Sequence, residues 1–398
     1  MARERVGIAK RNVRLFYFLT VVSSSAFISG NWIFYWLRAM SYGTLGIVDA
    51  SAFAFGLVME VPTGAISDLI GKKWTLMVAT LLNVAGWTGM GLSDSVLALT
   101  GWFFVTQVGW AFYSGAAEAM VYDSLKEEGQ EVRFEKVIAT TYALSIVMVV
   151  AATLVGGLLY VVHFRLPHLA WGGMYALGFV ATLFVREPAV EREPFSVRGY
   201  FGQLGEGFRQ LGQPSLRRFT PLILATLGVY FVFGYGLVQP ALAVSFGFGA
   251  NEQAVVYAVL GLLAAAGVRS VPWLRRRLSD AQGLTLLGLL LALGFLSAAL
   301  PLGYVGFVSL LLIRLGGGIA NPWVSVVVNR EVPSQARATT LSTVALLTKI
   351  PYAATAVLAG MMVERGYLWL FSAAVGGLVL ALLAASVISG RRWAKDEG

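Results

Sequence analysis

The sequence predicts an all-α integral membrane protein: twelve transmembrane helices arranged as two six-helix bundles in a parallel pseudo-repeat. Three observations carry this. Hydrophobic residues make up 57% of the 398 and charged residues only 13%, with a mean hydropathy of +0.73, which leaves too little polar material for an ordinary soluble surface. The apolar residues are gathered into runs of about 20 or more, the length at which a helix crosses a bilayer. Placing Arg14 opposite Phe219 sets an offset of 205 residues at which the loop chemistry of the first half returns in the second.

Taken in order, the spans are expected at about 14 to 38, 43 to 67, 74 to 93, 96 to 122, 137 to 161, 167 to 186, 219 to 246, 252 to 274, 281 to 301, 304 to 328, 339 to 363 and 367 to 389, each bound uncertain by about 2 to 4 residues. A spanning barrel is excluded by pattern, because its strands alternate apolar and polar, whereas these runs are apolar nearly throughout. Helices satisfy their own backbone hydrogen bonds, which lipid cannot do for them.

The net charge of +9 is a matter of placement and implies no nucleic-acid partner. Of the 30 Lys and Arg, three fall on one side of the expected membrane (Arg38, Arg165, Arg365), three lie within spans (Arg269, Arg314, Lys349), and the other 24 sit in the termini and loops of the opposite side. That asymmetry is the positive-inside pattern and places both termini in the cytoplasm. The basic stretch before Arg14 is followed by a run long enough to stay as the first span, so no cleaved leader is expected. With no Cys there are no disulfides or thiolate metal sites, and His163 and His168 alone do not make a metal site, so neither metal nor cofactor is expected.

The halves divide the chain into residues 1–186, a polar connection at 187–218 and residues 219–398. The connection carries charges of both signs, Pro188, Pro194 and Pro214, and an amphipathic stretch around Tyr200 to Leu211 suited to a membrane surface. The hairpin GAISDLIGKK after the second span has its counterpart in Val268 to Leu278, and the loop before the fifth span has its counterpart in Val328 to Ser342. Two six-helix halves in parallel repeat are a transporter design with the ligand held between them near the membrane midplane.

The hairpin Glu60 to Lys73, EVPTGAISDLIGKK, is the most specific motif. Its Gly64, Asp68, Gly71, Lys72 and Lys73 fit every position of G-x-x-x-D-x-x-G-[RK]-[RK], and the chain resembles the major facilitator superfamily in this loop and in its layout. The strings Ser114 to Gly129, Phe134 to Val137 and Pro333 to Ser342 are similar to a bacterial branch of exporters. The resemblance runs from about residue 12 to 390. It implies a secondary active transporter in a bacterial inner membrane, moving a small amphipathic organic molecule by alternating access, with proton-coupled efflux as the leading expectation. It also implies a cytoplasmic latch formed by Gly64, Asp68, Gly71, Lys72, Lys73 and Asp123, in which Gly71 permits the turn and Asp68 and Asp123 meet the lysines. On the residues alone, the lysines can equally serve to set topology.

Ionisable groups within spans cost about 2.5 to 3.5 kcal/mol at the bilayer centre and need a reason. Asp49, Glu60 and Glu118 lie in the first half, and Arg269, Arg314 and Lys349 in the second. The acids are the proton-coupling candidates, with Glu60 and Glu118 ahead of Asp49, and each is also a candidate for a packing role. Asn31, Tyr230, Tyr235, Gln239, Arg314, Asn321 and Lys349 are the candidates for the substrate cavity, which in the family is lined by the first, fourth, seventh and tenth helices. Aromatic side chains there suit a partly apolar ligand. Pro62, Pro240, Pro272, Pro322, Pro351 and the run Gly316 to Gly318 mark expected bends.

Two departures from the family stand out. The antiporter string G-P-x-x-G-G of the fifth helix is reduced here to Val155, Gly156 and Gly157, and the Arg common in the fourth helix of drug exporters is replaced by Thr106, Gln107 and Gly109. Uptake or exchange of a small anionic metabolite therefore stands as the alternative function, and a non-catalytic transport-like receptor or lipid translocator as a further one. No HExxH, GxSxG or phosphate-cradling glycine loop points to an enzyme. A monomer with protons, a small molecule and the lipid bilayer as partners is the expectation.

Overall fold

The computed structural model describes residues 7–189 and 196–396 and is helical along almost all of them. Pro194 of the connection lies outside the described residues. Nine helices are individually long and apolar enough to cross a membrane among the described residues, and a tenth if Thr220–Gly234 and Val238–Ser245, bent by 68° from each other, form one span. The sixth span is helix Leu166–Leu183, and the first is divided into Ile8–Ser24 and Trp32–Trp36. Helical segments thus lie within each of the twelve expected spans, and the chain is a multi-pass membrane protein.

Two compact units are present. The first comprises residues 1–40, 51–197 and 250–258, and the second residues 41–50, 198–249 and 259–398. In the first, the third span (Lys72–Leu92) packs on the fourth (Val96–Glu127) and the sixth, and the first packs on the fifth (Phe134–Val162). In the second, the ninth span (Asp280–Ala298) packs in the same way on the tenth (Phe307–Glu331) and the twelfth (Leu368–Asp396), and the seventh packs on the eleventh (Arg337–Glu364). Equivalent helices therefore choose equivalent partners.

Lipid supplies no hydrophobic drive between helices, so close backbone approach has to hold each unit together. Small residues provide it. A Cβ on Gly109 would lie 3.1 Å from the Ala79 carbonyl oxygen, and one on Gly294 would lie 2.9 Å from that of Ser309. Polar ties add specificity: the Asn12 amide donates to Ser124 Oγ and to the Arg186 carbonyl, both at 2.8 Å, joining the first, fourth and sixth spans. Trp87 and Trp171 stack at 4.0 Å between the third and sixth spans, and the Trp171 indole donates to the Val22 carbonyl at 3.2 Å.

Both first helices of the repeat are broken. Residues 25–31 interrupt the first span, and residues 235–237 interrupt the seventh, which also contains one π-helical turn at Leu224–Gly228. By contrast, Pro62, Pro322 and Pro351 lie inside helices that continue through them. The amphipathic stretch of the connection is helix Val197–Leu211, where Glu206 accepts from Arg209 Nε and Nη2 at 2.8 Å. Those bonds and that of Gln210 hold the Glu206 carboxyl down at about 2.

Candidate functional site

The hairpin after the second span is built by Gly71. Its φ of +91° is a conformation that a side chain disfavours, and it ends helix Tyr42–Ile70 and starts Lys72–Leu92 without a gap. Asp68 Oδ1 meets Lys72 Nζ at 3.2 Å one turn along, and Thr75 Oγ1 returns to the Gly71 carbonyl at 2.7 Å. The cap of the new helix comes from far along the chain. Glu187 spreads its carboxylate over the first free amides, accepting from Lys72 N at 2.8 Å and Lys73 N at 2.7 Å. A carboxylate at a helix N-terminus satisfies unpaired donors and meets the positive end of the dipole, each favourable by roughly 0.5 to 2 kcal/mol. Glu187 belongs to no motif of the sequence. The available signal was an acid directly after the last span of the first half, at the end of the unit where this helix begins. Asp123 lies half-buried on the fourth span beside Ser124, and Gly64 lies one turn before Asp68.

The three acids of the spans have very different surroundings. Glu60 and Glu118 are exposed, whereas Asp49 is only 6% exposed. Within the second unit Asp49 Oδ2 accepts the hydroxyl proton of Tyr352 from the eleventh span. A hydroxyl can donate to a carboxylate or accept from a neutral carboxyl, so the pair persists whether or not Asp49 carries a proton. Over this pair lies the break of the seventh span. A Cβ on Gly236 would be 2.5 Å from the Tyr352 hydroxyl and 2.7 Å from Asp49 Oδ2, so only a glycine lets the chain pass there. Tyr352 is the second residue that the sequence did not bring forward.

Next to Gly236 the break is open. Tyr235 is 45% exposed, its ring stacked on Phe231 at 4.9 Å and set edge-on to Tyr352 at 5.0 Å. Arg314 approaches the same break from the tenth span, its Nη1 3.5 Å from where a Gly234 Cβ would be and its guanidinium carbon 5.8 Å from the centre of the Tyr230 ring. Tyr230 in turn is seated on the backbone of Gly317, where any side chain would overlap the ring. Arg314 is about 10 Å along its helix by the rise per residue. Among the described residues neither Arg314 nor Lys349 forms an ion pair, whereas Asp280, Glu331, Arg275 and Arg330 of this unit pair with one another. A cation–π contact is worth about 0.5 to 2 kcal/mol, less than the roughly 2.5 to 3.5 kcal/mol cost of the charge at mid-bilayer. The ring therefore holds Arg314 in place without compensating it, and water or an anion has to complete its surroundings.

The other cavity candidates do not join this group. Asn31 is fully buried, its amide donating to the Phe27 carbonyl at 3.1 Å and the Gly156 carbonyl at 3.0 Å, which closes the break of the first span. Gln239 is buried, Lys349 half-buried and Asn321 exposed. Of the seven, the structure brings together Tyr230, Tyr235 and Arg314, with Asp49 beneath.

Comparison with known proteins places this architecture. The family model described as Major Facilitator Superfamily matches residues 14–353. Among curated protein sequences none matches the chain. Among solved structures, the nucleoside transporter NupG is similar with a TM-score of 0.75 at 15% identity, covering 96% of this chain and 98% of that one. A POT family transporter in complex with a thioalcohol-conjugated peptide gives 0.73 at 16% identity, covering 96% of each chain. A bacterial homologue of the human lysosomal transporter Spinster gives 0.70 at 18% identity, covering 98% of each. At these identities the likeness is one of fold.

Proposed function

The chain belongs to the major facilitator superfamily and is a secondary transporter rather than an enzyme, and on that footing we propose that it exports a small amphipathic organic molecule in exchange for protons. The single observation that carries this reading is the buried Asp49–Tyr352 pair lying directly under the exposed aromatic break at Tyr235. A proton site and a ligand-facing ring that touch through one tyrosine allow each to respond to the other. Asp49 is the coupling carboxylate in this reading, and the exposed Glu60 and Glu118 keep secondary roles. Lys and Arg placement supports cytoplasmic termini and an inner-membrane setting in a bacterium, and the protein works as a monomer.

Asp68, Lys72 and Asp123, with Gly64, Gly71 and Lys73 shaping the turn, form the latch that favours one of the alternating states, and Glu187 fixes the helix from which Lys72 projects. Asp68→Asn should then slow transport at unchanged membrane abundance, and normal rates in that variant would remove the latch.

The deciding experiment is substrate-induced proton movement in proteoliposomes carrying an internal pH dye, screened with amphipathic cations and organic anions. Wild-type protein and Glu60→Gln should give a signal that Asp49→Asn loses while downhill ligand flux continues. Robust flux with no proton signal in the wild type would instead mean facilitated diffusion or another driving ion. A second reading, uptake or exchange of a small anionic metabolite, is favoured by the uncompensated Arg314.

A further inference from the structure

We infer that the open break of the seventh span is the recognition site for an organic anion, with Arg314 holding a carboxylate or phosphate group and the Tyr235–Phe231 stack holding a planar apolar body. The inference rests on the reading of the chain as a transporter of an amphipathic molecule, but not on the direction of transport or on proton coupling.

Four observations converge on it. Arg314 lies well inside a spanning helix, yet it forms no ion pair among the described residues. Its guanidinium carbon lies over the Tyr230 ring at 5.8 Å from the centroid, and that ring is seated against Gly317. Its Nη1 lies 3.5 Å from where a Cβ on exposed Gly234 would be, so the guanidinium sits beside the exposed edge of the break. Tyr235, the next residue, offers an exposed ring whose far face is already stacked. A guanidinium with one face on a ring keeps its N–H fork free, and that fork fits two oxygens of a carboxylate or phosphate side by side. A lipid-facing arginine would be too costly at this depth, so the exposed edge faces water until a ligand arrives.

The pairing also separates ligands by charge. A cation of the same shape would meet the positive charge of Arg314 beside Gly234, while Asp49 lies buried behind Gly236, its Oδ2 held by the Tyr352 hydroxyl and not presented to the break. A neutral analogue would keep the aromatic contact and lose the fork.

Three matched probes test this on the purified full-length protein in lipid nanodiscs: 2-naphthoate, 2-naphthylmethanol and 2-naphthylmethylammonium, with binding read by calorimetry and by the shift in melting temperature. The anion should bind on the order of tenfold or more tighter than the alcohol, and the ammonium should not bind. Arg314→Gln should remove the preference for the anion and leave the alcohol where it was, Arg314→Lys should restore part of it, and Tyr235→Ala should weaken anion and alcohol alike. Monodisperse elution of each variant guards against misfolding as the cause. Equal affinity for the three probes, failure of the anion to bind at millimolar concentration, or an unchanged preference in Arg314→Gln overturns the site. Anion binding with no proton movement would remove proton coupling and leave the site standing, whereas proton-coupled flux of the ammonium would do the reverse.

Discussion

The first and seventh spans hold equivalent places in the repeat and are both broken, but the two breaks are finished in opposite ways. At residues 25–31 the chain is closed: Asn31 spends its amide on two carbonyls, Ser25 Oγ returns to the Val21 carbonyl at 2.7 Å, and Gly156 of the fifth span fits against the Phe27 carbonyl with no room for a side chain. At residues 235–237 the chain is open on one side only: Gly236 and Leu237 are buried, whereas Tyr235 and the preceding Gly234 are exposed with a guanidinium alongside. One interruption stabilises its unit and the other presents chemistry. Irregular backbone at membrane depth is tolerated where protein buries it, as at residues 25–31, or where it lines a water-filled cavity, as the site inferred at Tyr235 requires.

If that contrast is right, substitutions at the closed break should act on stability and those at the open break on transport. The largest effect is expected for Gly156→Ala, whose Cβ would collide with the Phe27 carbonyl; it should cost at least the upper end of the about 1 to 3 kcal/mol usual for overpacking, seen as a lower melting temperature in detergent. An unchanged melt would mean that the break is looser than its contacts imply. Asn31→Ala follows, leaving the Phe27 carbonyl without its side-chain donor and removing the tie to the Gly156 carbonyl, which keeps its helical bond, at roughly 1 to 3 kcal/mol, with ligand affinity retained in whatever protein folds. Gly236→Ala should push the Tyr352 hydroxyl off Asp49, abolishing proton-linked transport with a stability loss of about 1 to 3 kcal/mol, and Tyr352→Phe, which removes the same hydrogen bond without the overlap, should reproduce the transport defect. Tyr235→Ala should melt within about 1 kcal/mol of wild type while losing transport, because its ring contacts are worth only about 0.5 to 1.5 kcal/mol. Glu187→Ala, remote from both breaks, should lower stability by about 1 kcal/mol through the lost helix cap and leave ligand affinity untouched.

Much of the fold could be read from the chain because span length and apolarity are properties of contiguous residues. The hairpin was legible for the same reason: Asp68 and Lys72 are four apart on one helix, and their contact follows from the spacing. Contacts between distant residues were not. Glu187 caps a helix 115 positions away, and Tyr352 meets Asp49 across 303 positions, so neither pairing leaves a local trace. Residue spacing gives depth along a helix but not the face a side chain occupies, so it favours Glu60 and Glu118, which are exposed, over Asp49, which is buried. Proline proved a weak guide to bending. Pro62, Pro322 and Pro351 each remove one hydrogen bond inside a continuous helix, whereas the 68° bend falls at Gly234 to Leu237, before Pro240, where Gly236 presses on the Tyr352–Asp49 pair.

The stacked indoles of Trp87 and Trp171, 4.0 Å apart and inclined by 25°, are close enough to share electronic excitation. Such a pair should give a far-ultraviolet circular dichroism couplet that is lost once the third and sixth spans separate. The first unit therefore carries its own optical reporter of assembly, readable in vesicles without a label and erased by Trp87→Phe.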